Sequence, residues 1–180
     1  MGVDAMFTVP LMQLSVSDWA TKKEKLLQLP DFSASGSADE LEGQYFSDYH
    51  KHYNHPCPYA TEFAASVDDQ LREFTDTVGG AFDMQGLWCQ RYTGGQFMPP
   101  HNHGGLGFSA VLYVEFDPAV HAATHFMAPF NNFLTGECLF YTPEVSEGDI
   151  IFFPSALMHY SQPTGSTIPR TIFSFNMVPN

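Results

Sequence analysis

The sequence has few cations, few cysteines and no long apolar run, and these shortages exclude several classes of protein. It contains 7 Lys and Arg residues against 20 Asp and Glu residues, for a formal net charge of −13. Nucleic-acid grooves and anionic membrane surfaces attract clustered Lys and Arg, so we expect neither as a partner. No window approaches the roughly 18 uninterrupted apolar residues of a membrane span, and no signal-peptide pattern opens the sequence. These features predict a cytoplasmic protein.

Cysteine usage and chain length are consistent with one intracellular domain. Cys57, Cys89 and Cys138 are odd in number and lack C-x-x-C spacing, which predicts reduced thiols. A length of 180 residues with 44% hydrophobic content suits a single domain with an adequate core. We expect residues 1–80 to form a helical and loop support region and residues 81–180 to form a β core.

The second half of the chain has the residue pattern of a rolled β structure. After Ala81, about eight short segments rich in aromatic and β-branched residues alternate with turn residues, as in an antiparallel sandwich or barrel. Upstream, an apolar stripe at steps of three and four residues predicts one helix over residues 60–78. A shorter helix is predicted with Ser15 or Ser17 as its cap, Asp18 in its first turn and Pro30 at its end.

Two segments between these helices are predicted to lack regular structure. The polar stretch Asp31–Gly43 is interpreted as a linker rather than a mobile lid. Residues 48–59 contain a second histidine cluster, His50, His52 and His55, but two prolines force an irregular path there. Without a companion ligand pattern, these histidines are predicted to pack against the β core or to line a substrate side rather than to bind metal.

The pattern H-x-H at His101 and His103 is the centre of the candidate site. Side chains two residues apart on a strand point to one face, so both imidazoles can bind one ion while Asn102 points away. Two ligands leave such a site incomplete. His159, behind the apolar strand G-D-I-I-F-F-P, is the best candidate for the third ligand.

Arg170 requires an anionic partner. It lies within the apolar text P-R-T-I-F-S-F-N, where a buried cation without an anion would cost several kcal/mol. That anion could be a carboxylate of the protein itself. It could equally be a carboxylate of a bound ligand, which the planar guanidinium grips through two parallel hydrogen bonds.

This arrangement resembles the iron(II)- and 2-oxoglutarate-dependent oxygenases, whose usual pattern is H-x-D/E, a distal His and then an Arg or Lys. The text Y-T-G-G-Q-F-M-P-P-H, from Tyr92 to His101, is also similar to the G-G-Q-Y-x-P-H of the prolyl 4-hydroxylase branch. The nearest resemblance is to small uncharacterised members from marine phages and bacteria that carry H-x-H. It covers residues 82–178.

The chain departs from the family pattern at His103, which occupies the carboxylate position. No Asp or Glu occurs between Arg91 and Val114. The cupin patterns G-x5-H-x-H and G-x5-P are met by Gly95–His103 and Gly148–Pro154, but the cupin glutamate is missing because Gly104–Phe108 stand in its place. The sequence therefore indicates a three-histidine site with no anionic ligand.

The resemblance implies a mainly β fold with flanking helices, the double-stranded β-helix, a cupin-like jelly roll that N-terminal helices would buttress. It further implies Fe(II) at His101, His103 and His159, and 2-oxoglutarate as cosubstrate, its distal carboxylate held by Arg170 and a hydrogen bond from Tyr92. Dioxygen and a small-molecule or peptidyl substrate would complete the reaction, hydroxylation of an unactivated C–H bond.

The resemblance leaves some assignments open. Ser174 is not at the family's R-x-S serine position, so a hydroxyl beside Arg170 is not expected from it. His125 could contact substrate from the middle of the barrel, and a homo-oligomer is compatible with the sequence. Two other functions also remain: a cupin-like three-histidine metal protein that does not use 2-oxoglutarate, and a non-catalytic structural protein of a phage or host.

Overall fold

The computed structural model describes residues 8–33, 45–52 and 55–180, and most of the predicted linker Asp31–Gly43 lies outside them. No helix among these residues is long and apolar enough to cross a bilayer. The elements in chain order are β1 (Met12–Ser15), α1 (Trp19–Leu27), β2 (Phe46–Ser47), α2 (Tyr49–His52), α3 (Ala60–Ser66), α4 (Asp68–Val78), β3 (Phe82–Tyr92), β4 (Met98–His101), β5 (Phe108–Glu115), β6 (His125–Asn131), β7 (Cys138–Tyr141), β8 (Asp149–Pro154), β9 (His159–Ser161) and β10 (Arg170–Pro179).

The strands form two antiparallel sheets. The larger sheet has the order β1-β8-β5-β10-β3-β2, and the smaller sheet has the order β4-β9-β6-β7. The eight strands expected after Ala81 are β3 to β10. This architecture is the double-stranded β-helix, mainly β with a few helices, as the family resemblance implied.

The larger sheet is buried on both faces, which explains its long apolar strands. On β8, Ile150 and Phe152 belong to a core cluster shared with α1, α3 and α4. The alternate residues Ile151 and Phe153 belong to a second cluster, between the two sheets. The helices therefore cover one face of the sheet, and the other face forms the interior in which the candidate site lies.

The prediction of one helix over residues 60–78 was wrong, because the chain forms α3 and α4 with a break at Val67. Val67 leaves the helical conformation, with φ −121° and ψ 18°, and its side chain is fully buried in the core. The break allows Phe63 and Phe74, one on each helix, to bury completely against the same sheet. α4 then ends at Gly79, whose φ of 76° favours glycine.

A buried carboxylate fastens the segment before α2 to the sheet. Asp48 accepts hydrogen bonds from the backbone N–H of Cys89 at 2.7 Å and from the hydroxyl of Tyr59 at 2.5 Å. Asp48 and Tyr59 are both buried, so these bonds replace the water that the carboxylate loses. They position α2 beside β3, at the rim of the cavity described below.

Candidate metal centre

The structure brings the three predicted histidines together. His101 at the end of β4 pairs directly with His159 at the start of β9. Their ring centroids lie 4.3 Å apart, and the ring of His103 lies 5.2 Å from His101 and 5.0 Å from His159. One nitrogen from each ring falls within 4.8 Å of the others. Within the described ranges, no other three His, Cys, Asp or Glu residues come close enough to hold an ion.

Hydrogen bonds to backbone carbonyls fix the ring orientation of two of these histidines. His101 Nδ1 donates to Pro99 O at 2.9 Å, and His159 Nδ1 donates to Leu157 O at 2.9 Å. A carbonyl oxygen only accepts, so each Nδ1 carries the hydrogen and each Nε2 keeps a lone pair. A lone pair on Nε2 is what metal ligation by a neutral imidazole requires.

His103 is held by side chains instead. Its Nδ1 lies 2.9 Å from Asn176 Oδ1 on β10 and 2.8 Å from Ser109 Oγ on β5. Ser109 in turn donates to Asn176 Oδ1 at 2.9 Å and lies 3.0 Å from Ser155 Oγ. Sequence reasoning missed this polar group, because Ser155 and Asn176 lie 46 and 67 residues after Ser109 in the chain and meet it only through strand pairing.

Burial keeps the three imidazoles neutral. It lowers the pKa of His103 to about 4 and the pKa of His159 to about 3. Burial also lowers the pKa of His101, against a smaller opposing effect of its hydrogen bond to Pro99. At neutral pH the three rings are therefore unprotonated, the form in which they can ligate a metal.

Arg170 and Tyr92 form a cross-strand pair on β10 and β3, and Tyr92 lines a small cavity together with the three histidines. Arg170 is 2% exposed, and its Nη1 donates to Ser161 Oγ at 3.2 Å. Its guanidinium carbon lies 5.2 Å from the ring centroid of Tyr92 and 5.7 Å from that of Tyr113. Ser161 therefore supplies the hydroxyl beside Arg170 that Ser174 was not expected to supply.

We call the buried space around the guanidinium of Arg170 the hollow at Arg170. Three buried donor groups in it have no hydrogen-bond partner among the described residues. They are Arg170 Nε, Arg170 Nη2 and the hydroxyl of Tyr92. Burial raises the pKa of the Tyr92 phenol, so the hydroxyl keeps its proton and can donate. Unpaired donors in a buried cationic hollow fit an anionic group with several acceptor oxygens.

Arg91, the other cation in this region, does not face the candidate site. Arg91, next to Tyr92, forms an ion pair with Glu115 at 2.7 Å and lies over the ring of Phe32 at 3.6 Å. The opposite orientation of Arg91 and Tyr92 follows from the alternation of side chains along a strand. Of the two arginines, Arg91 and Arg170, only Arg170 therefore faces the candidate site.

A cavity of about 420 Å³ opens beside the histidines. His101, His103 and Asn176 line it on the side of the metal centre. Its lining among the described residues contains no Lys, Arg, Asp or Glu, and its apolar part consists of Tyr45, Tyr49, Trp88, Phe97, Met98 and Pro99. An aromatic, uncharged cavity next to a metal centre is suited to holding a neutral part of a substrate.

The second histidine cluster does not form a metal site among the described residues. His50 lines the cavity just described. His52 Nε2 lies 3.7 Å from Asp48 Oδ2, with its ring edge-on to Tyr59, and His55 is exposed. Of the three, only His50 lies where the sequence analysis placed a substrate-lining residue.

The interpretation of His125 as a substrate contact does not fit the sheet geometry. The register pairs Phe126 with His159 and His125 with Tyr160. Because neighbours on a strand point to opposite faces, His125 lies on the face of the smaller sheet away from His159. Its ring stacks on Tyr160 at 5.2 Å, and its Nδ1 lies 2.7 Å from Thr142 Oγ1.

Comparison with known proteins points to one family. A family model described as "Putative 2OG-Fe(II) oxygenase" matches residues 86–176, which contain all three histidines, Arg170 and Tyr92. No curated protein matches the chain in sequence.

Solved structures share the fold at low identity. A prolyl-4-hydroxylase of Pseudomonas putida is 15% identical, with a TM-score of 0.64 over 96% of this chain and 94% of that one. HygX of Streptomyces hygroscopicus, with nickel, 2-oxoglutarate and hygromycin B bound, is 13% identical, with a TM-score of 0.69 over 96% and 84%. A 2OG-Fe(II) oxygenase family oxidoreductase of Burkholderia pseudomallei is 16% identical, with a TM-score of 0.52 over 66% of this chain and 55% of that chain's length.

Proposed function

Because the chain belongs to the 2OG-Fe(II) oxygenase family, whose cofactors are Fe(II) and 2-oxoglutarate, we propose that it is a dioxygenase that hydroxylates an unactivated C–H bond. His101, His103 and His159 would hold the iron, and Arg170 and Tyr92 would hold the cosubstrate. One observation carries the proposal: a buried guanidinium lies next to a buried phenol, both with unpaired donors, and the phenol lines one small cavity with three convergent neutral imidazoles.

The donor set fits ferrous iron. Neutral imidazole is a good ligand for Fe(II), and the three Nδ1 hydrogen bonds leave the Nε2 atoms available for it. Three protein ligands leave further coordination positions for a chelating cosubstrate and for dioxygen. With no carboxylate among the ligands, the iron centre would be one unit more positive than in the usual H-x-D/E arrangement.

The hollow at Arg170 distinguishes this proposal from a cupin-like metal protein that does not use 2-oxoglutarate. Such a protein would have no use for a buried cation, which costs several kcal/mol when it lacks a partner. A distal carboxylate could accept hydrogen bonds from Arg170 Nε or Nη2 and from the Tyr92 hydroxyl. Ser161 would keep the guanidinium in place by accepting from Nη1.

When bound, iron with 2-oxoglutarate and dioxygen supplies an oxidant that converts C–H to C–OH, while 2-oxoglutarate becomes succinate and carbon dioxide. The chain's own residues orient the reactants and exclude water. The cavity beside His101 and His103 would hold the substrate, and its aromatic wall would keep the reacting carbon away from bulk solvent. A peptidyl residue is favoured by the likeness of Tyr92–His101 to the prolyl 4-hydroxylase text, and a neutral small molecule is the second candidate.

Thermal unfolding with ligands tests this proposal. Ferrous iron under anaerobic conditions should raise the melting temperature, and 2-oxoglutarate should raise it further, since a ligand at 100 times its Kd stabilises by about 2.7 kcal/mol. Arg170→Gln should abolish the second rise and keep the first. Arg91→Gln, which removes a neighbouring cation outside the site, should keep both.

Other outcomes would select the alternatives. Stabilisation by metal without any response to 2-oxoglutarate in the wild-type protein would favour the cupin-like metal protein. No response to either addition, with no metal in the purified protein, would favour a non-catalytic structural role. Succinate formed from 2-oxoglutarate in air would give independent support for the oxygenase.

A further inference from the structure

The hairpin of β6 and β7 exposes an unusual amount of apolar surface. We define the hairpin patch as Phe130, Phe133, Leu134, Leu139, Phe140 and Tyr141. Phe133 is 94% exposed and Leu134 is 83% exposed, and the other four are between 40% and 58% exposed. Scattered apolar residues on a surface are ordinary, but six exposed aromatic and aliphatic side chains on one hairpin mark an interaction site.

The patch lies on an open sheet edge. β7 is the last strand of the smaller sheet, and among the described residues it pairs only with β6. All four of its residues, Cys138 to Tyr141, are exposed. The strand carries no proline and no charge, the usual devices by which proteins protect such an edge from pairing with another chain.

We propose that this edge binds a second copy of the same chain. Two β7 strands would pair antiparallel across a two-fold axis and join the two smaller sheets into one of eight strands. An antiparallel edge is self-complementary, because the same row of backbone donors and acceptors faces its own copy after a two-fold rotation. The hairpin patch of each copy would then pack against the other copy on both faces of the joined sheet.

The available area matches what a stable dimer needs. Taking roughly 200 Å² for a fully exposed large side chain, the exposed parts of the hairpin patch amount to about 760 Å² per copy. A standard protein–protein interface buries about 800 Å² per partner, so the patch and its immediate rim supply enough. An apolar groove of about 500 Å³ continues the patch on the side of Val9–Leu11 and Leu157.

The distribution of charge also favours a second copy of the chain as the partner. Glu137 is the only charged residue between Phe126 and Pro143, although the whole chain carries a net charge of −13. Two such copies repel each other over most of their surfaces, and a nearly uncharged face is where they can approach. A basic partner would be drawn to the acidic surfaces instead, where opposite charges attract it.

This interface would leave the candidate metal centre accessible. His101 lies on β4, at the opposite edge of the smaller sheet from β7. The cavity beside His101 and His103 has no lining residue from β6 or β7. The dimer therefore does not depend on the proposed oxygenase function, and each can fail without the other.

Molar mass in solution tests the interface. Size-exclusion chromatography with light scattering, over a range of micromolar concentrations, should give twice the mass of the 20.1 kDa chain. Phe140→Glu should halve that mass and leave the circular dichroism spectrum of the folded chain unchanged, since Phe140 is 55% exposed. Leu106→Glu, a matched change at a 66% exposed leucine outside the patch, should leave the dimer intact. A monomeric wild-type protein, or a Phe140→Glu variant that stays dimeric, would overturn the proposal.

Cross-linking at Cys138 tests the geometry separately. In an antiparallel β7 pair the two Cys138 residues lie within about 15 Å of each other, from a rise of about 3.4 Å per residue and a strand spacing of about 4.8 Å. Cys138 is the exposed cysteine, whereas Cys57 is partly buried and Cys89 is buried. A short bis-maleimide should therefore link the wild-type chain into a covalent dimer and leave Cys138→Ser unlinked. A dimer by mass that cannot be linked at Cys138 would place the interface elsewhere and refute the β7 pairing.

Discussion

The Nδ1 atom of His103 lies 2.9 Å from the Oδ1 atom of Asn176, so the residue in the family's carboxylate position is oriented by a side chain of β10. Ser109 reinforces the contact by donating to the same Oδ1 atom. A ligand that lacks the charge of Asp or Glu gains less from Coulomb attraction to the metal, so its orientation matters more. Support of this kind for a metal ligand commonly contributes 10- to 100-fold to metal affinity, or about 1.4 to 2.7 kcal/mol.

Replacing Asn176 should weaken iron binding. With Asn176→Ala, the imidazole of His103 loses one of its two partners and Ser109 loses its acceptor, and we expect the Kd for Fe(II) to rise by about 10- to 100-fold. Anaerobic competition with a chelator measures this Kd. Asn180→Ala, at an exposed position near the end of β10, serves as the control and should leave the Kd unchanged. Equal Kd values for the two variants would remove Asn176 from the metal centre.

Removing the phenol of Tyr92 should weaken cosubstrate binding and spare the metal. Tyr92→Phe deletes one unpaired donor from the hollow at Arg170, and a single hydrogen bond contributes about 0.5–1.5 kcal/mol. We therefore expect the Kd for 2-oxoglutarate to rise by about 2- to 12-fold, as measured by calorimetry of the metal-loaded protein. Tyr141→Phe removes a hydroxyl from an exposed residue of β7 and should not change this Kd. An unchanged Kd in Tyr92→Phe would show that the cosubstrate lies elsewhere.

The metal-free protein should lose stability in mild acid. An unfolded histidine titrates near pH 6.5, whereas burial lowers the pKa to about 4 at His103 and to about 3 at His159. Between those values the unfolded chain binds more protons than the folded one. The free energy of unfolding should thus fall as the pH drops from 6.5 towards 4, by up to about 1.4 kcal/mol per pH unit for each histidine.

Urea unfolding of chelator-treated protein at pH 7, 6 and 5 measures this dependence. Because carboxylates also respond to acid, the decisive quantity is the difference in slope between variants. His159→Gln should flatten the slope, and His55→Gln, at an exposed position, should not. Identical slopes in the wild type and His159→Gln would contradict the buried neutral state of His159.

Tyr59→Phe should destabilise the fold without touching the site. It removes a donor from the buried carboxylate of Asp48, which keeps its hydrogen bond from Cys89 N. Leaving a buried acceptor short of a donor costs about 1–3 kcal/mol. The midpoint of urea unfolding should fall with an unchanged m-value, while the Kd for Fe(II) stays the same. Tyr160→Phe, at a residue that is only partly buried, is the control, and an equal midpoint in the two variants would rule out this role of Asp48.

Local patterns predicted the parts of the site that depend on strand periodicity. The convergence of His101 and His103 was inferred from the two-residue repeat of a strand. The structure brings the two rings together, although β4 ends at His101 and His103 lies in the loop that follows. The prediction of about eight strands after Ala81 follows from the β-branched and aromatic content of that part of the sequence. The same reasoning gave one helix where Val67 divides two, because the break is set by packing against the sheet.

Contacts that join distant strands could not be predicted from the sequence. Ser161 reaches Arg170 because β9 and β10 face each other across the barrel. His125 points away from the site because the register of β6 against β9 assigns the inward face to Phe126. A register shifted by one residue would exchange these faces, and no local pattern in β6 specifies the register.

The sequence by itself determined the residue types of the candidate centre. These are two histidines two residues apart, a third histidine later in the chain, and one arginine among apolar residues, with no carboxylate beside them. Only the tertiary structure decided which nitrogen of each ring faces the centre, which side chains hold those rings, and which donors remain unpaired. The physical reason is that residue chemistry is fixed by covalent structure, whereas orientation and hydrogen bonding depend on strand register and sheet packing, which are set by contacts between residues far apart in the chain.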